Sequence, residues 1–246
     1  LSVFFGLLSH ISRAVRWQYL LEPLGYRPKI INSIFAVLIG YFSNLGIPRS
    51  GELIRASAMH RYENIPFQKG FGTVITERVI DLFLLLICIF FALGLQFDLI
   101  AGYINLKDLN FFLTGIGLII LVSTFFLFRK FVLQPKYPIM EKIKKFFQGI
   151  WEGIISVKFI RNKVLFIAHT IFIWLMYVLM FWIIKFSIPE TINLGINKLI
   201  PAFVIGGLSI SATNGGIGIY PYSVSLVLIA LGISKESSLA FGWITW

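Results

Sequence analysis

The chain has 246 residues, of which 57% are hydrophobic and only 13% charged, and its net charge is +11. A soluble domain is about 45–50% apolar and ~25% charged, so this composition excludes a water-soluble globule, which would have too little polar surface to cover its core. The apolar residues also come in long blocks, not in the ~10-residue alternating segments of a β-barrel.

In chain order, residues 1–11 are an apolar run already under way, and 237–246 reads as a helix cut short. The expectation is one transmembrane domain over 1–246, a fragment lacking parts of its first and last spans. No basic start followed by a small-residue cleavage site marks a signal peptide. Segment 13–29 carries Arg13, Arg16, Arg27 and Lys29 against Glu22, a sum of +3. Cytoplasmic loops collect Lys and Arg, which assigns this segment to the inside.

The next run, 30–42, is apolar but short, and Gly40, Gly46, Pro48 and Gly51 break it. A full crossing would strand Arg49, Arg55, Arg61 and Lys69 outside. A helix that enters, breaks and returns resolves that conflict. Irregular backbone at membrane depth is tolerated only beside protein or a water-filled cavity, so the break marks an internal site.

Three longer runs follow: 79–95 with Asp81 as its one charge, and 111–128 and 164–184 with none. Each approaches the about 20 residues that cross ~30 Å of hydrocarbon. Segment 96–110 sums to −1 and 129–163 to +7, so 79–95 and 111–128 are expected as an out-and-back hairpin with 96–110 outside. Within 139–160, Ile143, Phe146, Phe147, Ile150, Trp151 and Ile154 share a stripe at helical spacing, opposite Lys142, Lys144, Lys145 and Gln148. That pattern suits an amphipathic helix at the membrane surface in contact with anionic lipid; the other reading is a cytoplasmic helix packed on the bundle. A second broken segment, 199–232, is interrupted by Asn214, Gly215, Gly216 and Gly218. Paired interrupted segments point to a transporter's binding site. The fold class expected is all-α: a polytopic transmembrane bundle with two glycine-broken, re-entrant segments and one interfacial helix.

The chemistry-bearing residues are few. Cys88 sits alone in an apolar span, and His10, His60 and His169 have no ligand-like spacing, so neither a metal nor a cofactor is expected. Ionisable residues cluster instead around the first break. Glu52 and Arg55 are i,i+3 neighbours, as are Arg78 and Asp81, while Glu77 and Asp81 are i,i+4. Charges near hydrocarbon face a partner or a hydrated cavity. Two readings stand side by side. Glu77, Arg78 and Asp81 form structural ion pairs that pin helices, while Arg49, Glu52 and Arg55, with Asn214, Gly215, Gly216 and Gly218, bind a lipid head group whose phosphate takes an arginine in bidentate fashion. The glycines would let backbone approach a ligand, or would serve only close helix packing.

The pieces Arg16-Trp17; Asn44, Pro48-Arg49, Gly51-Glu52 and Arg55; Glu77-Arg78 and Asp81; and Gly215-Gly216 and Gly218 occur in this order. Together they resemble the lysylphosphatidylglycerol synthase transmembrane-domain family, the flippase-like membrane half of the bacterial multiple peptide resistance factor and its stand-alone relatives. The resemblance covers essentially the whole chain. It implies a multi-pass protein of the bacterial inner membrane that handles phospholipid or polyprenyl-linked lipid. Where many members have proline before the paired glycines and glutamate a few residues after, this sequence has Asn214 and Tyr220, so the second break offers no carboxylate there.

Three functions are weighed. Lipid translocation fits the arginines and the glycine breaks. A non-catalytic accessory of a lipid or glycan synthase fits the lysine-rich helix, and the partner protein expected is such a synthase or a second copy of the chain. A transferase ranks last, because no Asp-x-Asp, Asp-Gly or Gly-Lys sequence is present, and the chain is expected not to be an enzyme. The expected partners are membrane lipids, anionic phospholipid among them, and not nucleic acid.

Overall fold

The structure, a computed structural model, describes residues 1–47, 50–95, 138–213 and 215–246. The expected span at 111–128 and the loop at 96–110 lie outside the described residues, as do Pro48, Arg49 and Asn214. Among the described residues the chain is all-helical, without a strand. Helix α1 covers Ser2–Leu21, α2 Ile30–Gly46, α3 Ser50–Glu63 and α4 Phe67–Leu95. After the gap come α5 at Pro138–Ile155, α6 at Lys163–Ile183, α7 at Ile196–Ala212, α8 at Ile219–Ala230 and α9 at Lys235–Thr245. Short 3-10 turns link α5 to α6 and α6 to α7.

Helix α1 is patterned inside out. Its buried face holds Ser9, Ser12, Arg13, Arg16 and Trp17, while Leu7 and Ile11 are 48% and 43% exposed. A helix facing water does the reverse. Helix α6 likewise turns Val164, Ile167, Ile171 and Leu175 outward. With its 3-10 tail it forms Lys163–Ser187, the one helix among the described residues that is long and apolar enough to cross a membrane.

Helices α2 and α3 form an antiparallel hairpin. At its open end the Lys29 backbone N–H and the Asn32 amide donate to Glu63. Near the closed end the Gly51 N–H donates to Asn44 Oδ1 at 2.8 Å. The helices meet so closely there that a Cβ on Gly40 would lie 2.9 Å from the Gly51 carbonyl. Glycine at both positions is what permits the contact. Helices α7 and α8 form a second hairpin, with Gly206 against the Tyr220 ring. Helices of 17, 14, 17 and 12 residues are at most about 25 Å long at 1.5 Å per residue. Each is therefore short of a full ~30 Å hydrocarbon crossing.

The hairpins start from opposite ends of the bundle. Helix α6 runs antiparallel to α1, since Ser12 meets His169 while Ser2 reaches the Met180 carbonyl. The 22–29 turn, the link from α3 to α4 and helix α5 therefore gather with the start of α6 at one end, where Lys69 pairs with Glu152 and lies 6.0 Å over the Tyr26 ring. Hairpin α2/α3 starts from this end. Hairpin α7/α8 starts from the other, where Glu190 bonds Ser234 and Ser237. Two apolar cores result. One packs Trp17, Leu20, Val37, Met59, Val74 and Phe166; the other packs Phe181, Leu199, Ala202, Val224, Leu228 and Phe241.

Helix α5 is packed on the bundle and is also partly free. A Cβ on Gly153 would collide with Gly72 and the Lys69 carbonyl, and Thr76 Oγ1 lies 3.4 and 3.3 Å from the carbonyls of Gly153 and Ile154. The Ser156 hydroxyl also donates to the Gly153 carbonyl, at 2.7 Å. The helix ends at Ile155 and a 3-10 turn takes over, so the stripe expected to 160 is interrupted. Ile143, Phe147 and Trp151 remain exposed along one line of its surface.

Candidate functional site

The charged residues converge on one buried network between α1, α3 and α4. Asp81 accepts from Arg13 Nη1 at 2.6 Å and from Arg16 Nη1 at 2.9 Å. Glu77, fully buried, lies 3.6 Å from Arg16 Nε and 2.8 Å from Arg55 Nη1. Glu52 pairs with Arg78 at 2.9 Å. The pairs run between helices and not, as the spacing suggested, along one helix. Among the described residues, four arginines face three carboxylates, which leaves one positive charge over.

Sequence reasoning missed the α1 contribution. Arg13 and Arg16 contribute to the positive sum of 13–29, yet they are 2% and 0% exposed and belong to the network. Only Arg27, Lys29 and Glu22 of that segment remain to bias topology. The signal was present: Ser9, Ser12, Arg13, Arg16 and Trp17 fall on one face of an otherwise apolar helix. Arg78 also moves. Its side chain is 40% exposed and pairs with Glu52, so the carboxylates Glu77 and Asp81 are held by Arg13, Arg16 and Arg55 instead. Arg55, expected among head-group ligands, and Glu77, expected among structural pairs, are brought together.

Aromatic groups close the network. The Arg55 guanidinium lies 4.2 Å over the Trp17 ring, whose Nε1 donates to Thr73 Oγ1 at 2.8 Å. Arg13 Nη2 donates to Tyr177 Oη at 3.1 Å, Tyr177 Oη is 3.3 Å from Tyr41 Oη, and the His10 ring packs at a tilt on Tyr41, 4.2 Å between centroids. Among the described residues, Arg13 Nε, Arg16 Nη2, Arg55 Nε and Arg55 Nη2 find no hydrogen-bond acceptor. The 2.8 Å approach of Arg55 Nη1 to Glu77 lacks the alignment of a hydrogen bond. Buried guanidinium N–H groups without acceptors are costly.

The second break has different neighbours. Gly215, Gly216 and Gly218 have φ of +71°, +76° and +74°, a region side chains with a Cβ avoid. A Cβ on Gly215 or Gly218 would meet open space, so backbone conformation, not helix packing, requires glycine at these two. The Gly215 carbonyl accepts from Trp246 Nε1 at 2.8 Å. Tyr220, where a carboxylate was missing, is buried against Gly206. Among the described residues no hydrogen bond or ion pair joins 213–220 to the first break. Nor are three His, Cys, Asp or Glu side chains gathered there as metal ligands would be.

A basic residue outside both breaks is also buried. Lys185 donates to the Leu194 carbonyl at 2.9 Å and lies 5.1 and 5.0 Å over the rings of Trp182 and Phe186. This arrangement fixes the turn between α6 and α7 without a carboxylate.

Comparison with known proteins places the chain. The family described as the lysylphosphatidylglycerol synthase TM region matches residues 1–245. The UPF0104 membrane protein MJ1595 of Methanocaldococcus jannaschii is 30% identical over 179 residues, 66% of this chain and 52% of that protein. The glycosyltransferase AglD of Haloferax volcanii is 38% identical over 71 residues, 28% of this chain and 11% of that protein. The chain thus spans about half the length of the first relative and a small part of the second. No solved structure matches. With a match over almost its whole length, this inside-out helical chain is a membrane protein and belongs to the lysylphosphatidylglycerol synthase TM region family.

Proposed function

We infer that the chain is a multi-pass protein of a cytoplasmic membrane that moves a lipid head group across the bilayer. The observation that carries this reading is the buried network itself: among the described residues, one excess positive charge and several guanidinium N–H groups without acceptors, beside a helix hairpin that stops short of a full crossing. A phosphodiester would supply the missing charge and oxygens. In this reading both hairpins are re-entrant, and their tips flank the path of a phospholipid or polyprenyl-linked lipid. Arg49, Glu52, Arg55 and the 213–218 loop form its walls. The bacterial inner membrane is the location the family resemblance implies.

A second reading has a specific observation behind it. The 71-residue likeness to a protein named as a glycosyltransferase favours an accessory role, in which this domain receives lipid for a synthase on another chain or domain. A transferase activity of the chain itself ranks below both.

Reconstitution decides between them. In vesicles carrying head-labelled phospholipids, the protein should expose inner-leaflet label to a membrane-impermeant quencher much faster than in protein-free vesicles, and Arg55→Gln should slow this. Rates equal to those of empty vesicles for every lipid tested would remove translocation and leave the accessory role.

A further inference from the structure

The two hairpins are built alike. Helices α2 and α7 each have 17 residues. Laid residue on residue, they share Ile30 with Ile196, Ile34 with Ile200, Ala36 with Ala202, Ile39 with Ile205, Gly40 with Gly206 and Ser43 with Ser209. The shared residues also serve alike. Ala36 and Ala202 are both buried. The second arm of each hairpin packs on the shared glycine, Arg55 on Gly40 and the Tyr220 ring on Gly206. Each first arm ends on an extended residue whose N–H donates to the carbonyl of the shared serine, Ile47 to Ser43 and Thr213 to Ser209. The flanks repeat too. Helices α1 and α6, of 20 and 21 residues, precede the hairpins, and a 3-10 turn with Pro23 or Pro189 leads in. Each link out, to α4 or α9, holds a residue with positive φ, Asn64 at 55° and Gly232 at 88°. Helices α1 and α6 are antiparallel and the hairpins start from opposite ends, so the units α1–α4 and α6–α9 have opposite topology.

Helix α4 shows what the two units enclose. Near its start a Cβ on Gly70 would lie 3.9 Å from the Ala56 Cβ of α3, and further along Leu85 Cδ1 would lie 3.5 Å from a Cβ on Gly207 of α7. These contacts are about 22 Å apart by helical rise, and Glu77 and Asp81 lie between them. The network therefore has one hairpin towards one end of the bundle and the other hairpin towards the opposite end. Arg16, Arg55 and Glu77 are 0%, 2% and 0% exposed, so a head group reaches them only when a hairpin moves. Inverted repeats give a fold two related open arrangements, one facing each side of a fixed site. We propose that α1–α4 and α6–α9 are inverted-topology repeats whose hairpins gate the network from opposite sides of the membrane in turn. The proposal rests on the translocation reading and supplies its mechanism. The binding charge stays in the first unit, because Tyr220 stands on Gly206 where Arg55 stands on Gly40.

The test shuts each gate with a reducible link in a Cys88→Ala background. Ala56→Cys with Gly70→Cys brings two Cβ atoms within disulfide range, and Leu85→Cys with Gly207→Cys is bridged by a short bis-thiosulfonate. Each variant is compared with itself after reduction, so a folding defect cannot imitate the result. In vesicles, either link alone should bring lipid movement down to the level of protein-free vesicles. In detergent, native mass spectrometry with short-chain phosphatidylglycerol should show binding with either link alone and loss of binding when both are closed. Lipid movement that persists with one link closed overturns the proposal and leaves translocation standing. Binding lost with a single link, or kept with both, overturns it as well. The expected binding pattern in a protein that moves no lipid even when reduced would support the paired gates and remove translocation. A reduced protein that neither binds nor moves the lipid overturns both.

Discussion

Arg55 Nη1 lies 2.8 Å from Glu77 Oε2, and the two side chains are 2% and 0% exposed. This buried pair ties α3, the returning arm of the first hairpin, to α4, and α4 is tied in turn to α1 through Arg13 and Arg16. Removing one partner from a buried pair leaves an uncompensated charge, at a cost of roughly 3–5 kcal/mol. Arg55→Ala should therefore lower thermal stability in detergent sharply. The exchange Arg55→Glu with Glu77→Arg should recover part of the stability but not transport, if Arg55 also serves a head group. Recovery of both together would make the pair purely structural.

The network also ranks its arginines. Arg16 is fully buried and reaches both Asp81 and Glu77, whereas Arg78 is 40% exposed and reaches Glu52. The Arg78–Glu52 pair is only partly buried, and such a pair contributes less than a fully buried one. Arg78→Ala should shift the unfolding midpoint little, and Arg16→Ala should shift it by several times as much. A larger loss for Arg78→Ala would mean that the network does not hold the helices in this way.

Topology is checked by labelling. Tyr62 is 73% exposed at the end that gathers α5 and the start of α6. In a Cys88→Ala background, Asn105→Cys should react with an impermeant reagent on intact cells, while Tyr62→Cys should react only after lysis. Equal labelling of the two in intact cells would rule out the re-entrant reading of α2 and α3.

At the second break, Gly218 begins α8 with φ 74° and ψ −44°. A Cβ there meets open space, so any cost of Gly218→Ala is conformational, of order 1–3 kcal/mol. Gly218→Ala should lower the melting temperature without a new clash. An unchanged melting temperature would show that this backbone conformation is not required.

Glu190 gives a pH signature. Its carboxylate accepts from the Ser234 N–H at 2.9 Å and from the hydroxyls of Ser234 and Ser237. These bonds, the backbone N–H first, hold its pKa below the usual carboxylate range. A depressed carboxyl stabilises the fold above its unfolded pKa, and that contribution is lost as pH falls through the lowered folded value. The stability gap between the parent and Glu190→Gln, measured by thermal unfolding, should be present at pH 7 and close in acid. A gap that persists or widens in acid would contradict the contact.

The sequence by itself determined the class and the breaks. Composition and uninterrupted apolar runs require a non-aqueous surrounding, and the glycines and Pro48 lower helix propensity around 46–51, so both depend only on local chemistry. It also marked Glu52, Arg55, Glu77, Arg78 and Asp81 as charges in need of partners. Which partner each takes was decided only by tertiary structure, because a burial cost can be met by any opposite charge that packing brings near. Helical spacing offered Arg78 to Asp81, but packing of α1 against α4 delivered Arg13 and Arg16 instead. The loop glycines show the same division. Their presence is legible in the chain, but both packing and ligand approach fit that presence equally well. Only the backbone angles, +71° and +74° with open space beside them, show that conformation itself demands glycine at 215 and 218.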